Sequence, residues 1–326
     1  MRLLAGRKLP DASLPFELRT ILVPVVNGPQ SLEAAHLAAR LAGKRARVFL
    51  LRVVVVDPEL PLEAHLTDQL EAAETLCGES AAVVGSYGVK VERVVVRSRL
   101  AGRAIVEQAA RHSADMVILG APRSAHRQIF GHTVQYVLRH SPARVMVAAG
   151  KRRWLPFDER EAPPVELGLK RILVPTKLGP IGEEMLGTAV KLAAGRNVSV
   201  DALNAILVPL EHAIDDELPE QEERAAASLA EARLVGERHG VPVDGTVLRT
   251  RSIGKAIVER AAEIDADLIV LGSAPRWRRQ SRFFSPTVDY VLRRASAEVL
   301  IVAFPQSAID GDLAATRHAA LGWASR

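Results

Sequence analysis

The residues able to do chemistry gather in two matching stretches of the 326-residue chain. The first, Ala114 to Ala149, begins with an apolar strand closed by Gly120. A loop follows that carries Arg123, His126, Arg127 and His132 and no acid. Thr133 then opens a helix that leads into a second apolar strand. The same order recurs from Ala266 to Ala303. There Gly272 closes the strand, the loop holds Arg276, Arg278, Arg279 and Arg282, and Thr287 opens the helix. A strand that releases a basic loop ahead of a helix N-terminus can hold an anion, because backbone N–H groups and the helix dipole converge there. Thr133 and Thr287 are also expected to cap their helices, since a hydroxyl before the first turn accepts from an N–H donor.

Composition narrows the class. Apolar residues make up 48% of the chain and aromatics only 4%, so the expected core is aliphatic. Long Val/Ile/Leu runs of that kind suit parallel strands buried on both faces. The net charge of +5 is mild, and the aromatics that single-stranded nucleic acid would stack on are scarce, so nucleic acid is not an expected partner. The single cysteine, Cys77, precludes a disulfide within the chain or a multi-cysteine metal site and suits a reducing cytoplasm. No apolar run approaches about 18 residues, the length of a membrane span.

Alternating strand and helix patterns place these stretches in a larger frame. Ile21–Val26, Ala46–Val56, Val89–Val96, Asp115–Leu119 and Arg144–Ala148 read as strands. Ser31–Ala42, Leu62–Gly85 and Gly102–His112 read as the helices between them, the first with Ser31 able to cap it. Such alternation implies right-handed βαβ units and a parallel sheet covered on both faces. The pattern restarts at Lys170: KRILVPT answers RTILVPV, and RSIGKAIVE answers RLAGRAIVE. The chain therefore divides into a leader (1–18), a first α/β domain (19–150), a charged, proline-rich linker (151–169), a second domain (170–304) and a tail (305–326) with a helical stretch at Ala314–Ala324.

Each half resembles the universal stress protein family. The matching segments are ILVPV, GRAIVEQA, LG and TVQYVLRHSPARVMV in the first half. In the second they are ILVPT, GKAIVERA, LG and TVDYVLRRASAEVLIV. The resemblance implies two tandem α/β/α sandwiches, adenine-nucleotide alpha-hydrolase-like, each around a five-stranded parallel sheet. It implies an internal pseudo-dimer through the last strands, Val145–Ala148 and Val299–Ala303, and leaves room for a further homo-oligomer. It also implies ATP or another adenine nucleotide as ligand. In open parallel sheets such ligands sit beyond the carboxyl ends of strands where the strand order reverses, here the first and fourth.

Family members that bind ATP use an aspartate at the end of the first strand and a glycine-rich motif closed by serine or threonine. Gly120 and Gly272 match its first glycine, and Thr133 and Thr287 its closing hydroxyl. Val26 and Lys177 stand at the aspartate position, Arg123 and Pro275 at the second glycine, and His132 and Pro286 at the last. Side chains there block close approach of backbone to phosphate, and proline removes a donor. Arginine can grip phosphate instead. The expected site residues are therefore Pro24, Val25, Val26, Gly120, Arg123, His132 and Thr133 in the first half. In the second they are Pro175, Thr176, Lys177, Gly272, Arg276 and Thr287.

The P-loop, G-x-G-x-x-G, G-x-S-x-G and H-E-x-x-H patterns are all absent, and no carboxylate pair has catalytic spacing. The expectation is a cytoplasmic nucleotide- or anion-binding signalling module with a degenerate ATP motif, not an enzyme. Slow ATP hydrolysis is disfavoured because no carboxylate at the first strand's end would hold Mg²⁺. LGAPR and the segment Pro209–Glu223 also resemble the stress-protein-type domains appended to amino-acid permeases and cation antiporters. That implies an alternative, a regulatory interaction module for a membrane transporter that needs no nucleotide.

Overall fold

The computed structural model describes residues 18–42, 45–122, 130–150, 169–273 and 284–303. The leader, most of the linker, the tail and the greater part of both basic loops, with Arg123 and Arg276, lie outside the described residues.

The first half runs β1 (Thr20–Pro24), α1 (Pro29–Leu41), β2 (Arg47–Val55), α2 (Thr67–Ser86), β3 (Lys90–Ser98), α3 (Ala101–Arg111), β4 (Met116–Pro122), α4 (His132–His140) and β5 (Arg144–Gly150). The second repeats it as β6 (Arg171–Pro175), α5 (Pro180–Ala193), β7 (Ser199–Leu207), α6 (Pro219–Arg238), β8 (Val243–Thr250), α7 (Ile253–Glu263), β9 (Leu268–Ser273), α8 (Pro286–Arg294) and β10 (Glu298–Ala303). The five expected strands of each half are present.

The two sheets are one. Ten strands lie in the order β3-β2-β1-β4-β5-β10-β9-β6-β7-β8. Every neighbouring pair is parallel except β5 with β10, which run antiparallel from Val299↔Ala149 to Ala303↔Val145. The last strands thus join the halves, as the resemblance implied. The β-branched and aliphatic runs of β1, β4, β9 and β10 are buried on both faces, as strands covered by helix layers must be.

Two paired devices set the strands nearest the expected site. Asp115 Oδ2 accepts the backbone N–H groups of Arg19 and Thr20, both at 2.8 Å, and Asp267 Oδ2 accepts those of Lys170 and Arg171 at 2.8 and 3.0 Å. They hold β1 against β4 and β6 against β9 at the amino ends. At the carboxyl ends a Gly-Pro pair turns the chain into the next helix. Gly28 has φ 110° and Gly179 φ 108°, a region closed to most side chains, and Pro29 and Pro180 then start α1 and α5 with φ pre-set.

Helix starts depart from expectation. Ser31 is not a cap: α1 begins two residues earlier, and the Ser31 hydroxyl accepts from Val26 N–H (2.7 Å) and donates to Val26 C=O (2.6 Å). Thr133 and Thr287 also lie inside their helices, each one residue after the first. Gly131 occupies the cap of α4 with no side-chain bond. Ser285 caps α8 by accepting from Val288 N–H at 3.3 Å, and Pro286 takes the first helical position, where its missing donor costs nothing.

Candidate functional site

The strand order 3-2-1-4-5, present in each half, reverses between β1 and β4 and again between β6 and β9. There the pairing is short. β1 and β4 share only Ile21↔Met116 and Leu22↔Val117, although both strands run on. β6 and β9 share only Ile172↔Leu268 and Leu173↔Ile269. Beyond those pairs the ladder between the two strands ends, and the carboxyl edge there is the switch-point corner of each half.

The loops over these corners are tied down by side chains. Arg52 Nη1 donates to Val25 C=O at 3.0 Å, and Asn204 Nδ2 to Thr176 C=O at 3.4 Å, from equivalent places on β2 and β7. Arg99 donates to the carbonyls of Val56, Asp57 and Leu60, and Arg251 to those of Val208, Pro209 and His212. Each arginine gathers the loop after the second strand of its half with charge-assisted bonds. The sequence shows both arginines as part of the repeat but not this role. Their matched positions in RLAGRAIVE and RSIGKAIVE were the available signal.

The expected site residues are partly brought together. Val25 is buried and donates its N–H to Leu51 C=O at 2.8 Å, and Thr176 does the same to Leu203 C=O at 2.8 Å. Pro24 and Pro175 end their strands just before them. Val26 is 46% exposed at the lip of its corner. Lys177 is exposed at the matching place. Gly120 and Gly272 sit within β4 and β9, but their bareness serves packing. A Cβ on Gly120 would lie 2.0 Å from the backbone oxygen of Gln30, in the first turn of α1. One on Gly272 would lie 2.5 Å from Met185 Sδ and 3.1 Å from Ile181 Cγ2 of α5. The glycines let helix and strand meet, so a role in cradling phosphate is not needed to explain them.

His132 and Thr133 are exposed on the first turn of α4, and Thr287 is half-buried on that of α8. The two helix starts face across the seam, because Phe130 and Phe284, just ahead of them, meet edge to face at 5.9 Å and 82°. That contact was not anticipated from the sequence.

The two corners differ in chemistry. The first offers Val25, Val26 and Ala121, which suit neither a ribose diol nor a phosphate. The second offers the Thr176 hydroxyl, the Lys177 ammonium and Ser273, at the end of β9, whose buried hydroxyl has no hydrogen-bond partner among the described residues. A hydroxyl-and-ammonium set of this kind fits a phosphate-bearing group. Among the described residues no group of His, Cys, Asp or Glu is arranged to hold a metal ion.

The fold is shared with known proteins. Residues 17–149 and 168–303 each match the Universal stress protein family, and the chain belongs to that family. Among solved structures it is similar to a universal stress protein from Archaeoglobus fulgidus DSM 4304, at 16% identity and a TM-score of 0.60, over 90% of this chain and 100% of that one. It is also similar to a putative universal stress protein from Pseudomonas aeruginosa UCBPP-PA14, at 17% identity and a TM-score of 0.55, over 88% of this chain and 93% of that one. At such identities the likeness speaks for the fold. Comparison with curated proteins returned no match. Among the described residues no helix is long and apolar enough to cross a membrane.

Proposed function

We propose that the chain is a non-catalytic, cytoplasmic binding and signalling module that takes an adenine nucleotide, or another phosphate-bearing ligand, at the corner of its second half. The observation that carries this reading is the contrast between the corners: Thr176, Lys177 and the Ser273 hydroxyl, which has no partner among the described residues, stand where the first half has Val25, Val26 and Ala121. The clamped loops lower the cost of binding, since Arg251 and Asn204 hold the rim in place before any ligand arrives. Lysine in place of the family's aspartate exchanges an acceptor for a cationic donor, so the phosphate end of the ligand supplies most of the recognition.

Calorimetry with ATP, ADP, AMP and cyclic dinucleotides tests this. Binding should be lost in Lys177→Glu and kept in Val26→Glu. Silence of the unaltered protein toward all four at millimolar concentration would remove the ligand and leave the fold untouched.

Docking on a partner protein such as a transporter is a second reading. Its support is the exposed apolar side chains of the loop leaving β7: Leu207, Leu210 (89% exposed) and Ile214. Co-purification that survives Lys177→Glu but not Leu210→Asp would favour it.

A further inference from the structure

A second cationic site lies at the opposite edge of the sheet, between the two halves. A cavity of about 420 Å³ opens where α1, the turn from α2 into β3, and the end of α5 come together. Among the described residues its charged lining is Arg40, Lys90, Lys191 and Arg196, with no carboxylate. The first two belong to the first half and the last two to the second. α1 packs on α5 across the seam, and Arg40 Nη2 donates to the backbone oxygen of Leu192.

Helix dipoles account for part of this charge. Arg40 and Lys191 sit in the last turns of α1 and α5, where cations are favoured. They do not account for Lys90, which opens β3, or for Arg196, beyond the end of α5. Arg196 Nη1 is buried without a hydrogen-bond partner among the described residues. A buried guanidinium nitrogen left so is costly unless something accepts from it. The field is felt inside the protein. His36 is 1% exposed, and its Nδ1 lies 2.9 Å from the hydroxyl of Tyr87, which lines the cavity. Its pKa is lowered to about 4, first by burial and then by the charges of Arg40 and Arg196.

We propose that this cavity binds an oligophosphate group, free or carried on a small molecule, and that the bound group joins the halves. Four cations in one concave site of this size match the charge of a di- or triphosphate, and arginine nitrogens supply directed donors to its oxygens. The site is separate from the corner at the carboxyl edge and does not depend on that reading. Because it draws on both halves, an anion there would hold α1 and α5 together.

The test is calorimetry and thermal unfolding of the full chain with inorganic pyrophosphate and triphosphate. The unaltered protein should bind both and unfold at a higher temperature in their presence. Lys191→Gln/Arg196→Gln should weaken binding at least about tenfold. Lys177→Glu, which alters only the corner at the carboxyl edge, should leave the share of binding that Lys191→Gln/Arg196→Gln removes unchanged. If the double variant does not fold, Lys90→Gln, at an exposed strand start, takes its place and should weaken binding severalfold. The proposal is overturned if neither probe binds. It is also overturned if binding is lost with Lys177→Glu but kept in the cavity variants, which would move the phosphate site to the other edge.

Discussion

Arg144 Nε lies 2.7 Å from Glu184 Oε1 and so joins the first strand of the seam, β5, to α5 of the other half. The residue that plays the part of Arg144 in the second half is Glu298, which opens β10, and the counterpart of Glu184 is Glu33 on α1. One side of the seam thus carries opposite charges and the other two buried carboxyl groups.

Removing the attractive pair should weaken the seam. Burial pushes the Glu184 carboxyl above its ordinary range, and the Arg144 charge works against that shift. Arg144→Ala removes the nearest counter-charge of this carboxylate and leaves only the charge of Lys191 acting on it. Because Arg144 keeps a third of its side chain in water, the expected loss is about 2 kcal/mol, below the ~3–5 of a fully buried pair. Denaturant unfolding at neutral pH measures it.

The repulsive side makes stability depend on pH. Glu33 is 6% exposed, and its pKa is raised from 4.5 to about 7, by burial first and by Glu298 second. A group with a raised folded-state pKa binds its proton more tightly when folded. Its stabilising contribution is complete below pH 4.5 and is lost as pH rises through about 7. Glu33→Gln should therefore stabilise the protein at pH 8, by a few kcal/mol at most, and much less at pH 4.5. Melting temperatures of both proteins across that range show it. A gap that does not widen with pH would remove the account.

His36 acts in the opposite sense. Its pKa is depressed from 6.5 to about 4, so the folded state resists protonation. Its neutral form supports folding fully above pH 6.5, and that support drains as pH falls toward 4. His36→Gln should flatten the acid limb of the melting-temperature profile and leave the alkaline limb governed by Glu33.

The halves also solve one internal contact differently. In the second, Arg260 Nη2 of α7 reaches Asp201 Oδ2 of β7 at 2.7 Å, with both groups largely buried. In the first, Phe49 of β2 stacks on His112 beyond α3 at 4.2 Å. Arg260→Ala should cost about 3–5 kcal/mol by orphaning Asp201, and Asp201→Leu/Arg260→Leu should cost less. Chemical denaturation of the two variants ranks them.

The glycines at the two corners should respond unequally. Gly120→Ala drives a methyl group into the Gln30 backbone, which cannot yield without moving α1, so the expected cost is at least about 1–3 kcal/mol. Gly272→Ala meets the flexible Met185 and the Ile181 side chain, which can shift, and should cost less. Equal losses would mean that the helix starts are looser than their packing implies.

What was legible in the sequence followed from local chemistry. Apolar β-branched runs such as Ile21–Val25 and Leu268–Leu271 announce strands, and the restart at Lys170 announces the second half. Helix starts were less legible. The residues before α2 have helical composition from Leu62, yet the helix begins at Thr67. Turns from Leu60 N–H to Asp57 C=O and from Ala64 N–H to Pro61 C=O, with Arg99 holding nearby carbonyls, keep that stretch out of helix. Thr133 and Thr287 misled because they sit one residue into helices whose caps are Gly131 and Ser285. The cavity between the halves could not be read at all, since Lys90 and Arg196 meet only once two copies of the fold are set side by side.

The antiparallel run of β5 against β10 has an evolutionary consequence. Two separate chains meeting through that edge must be self-complementary, so any substitution appears on both sides at once. A covalent tether lifts that constraint, and it also makes the encounter of the halves independent of protein concentration. One side can then acquire arginine while the other keeps glutamate, and one ligand corner can turn hydrophobic while its twin stays polar. Specialisation of a single lobe becomes accessible by point mutation.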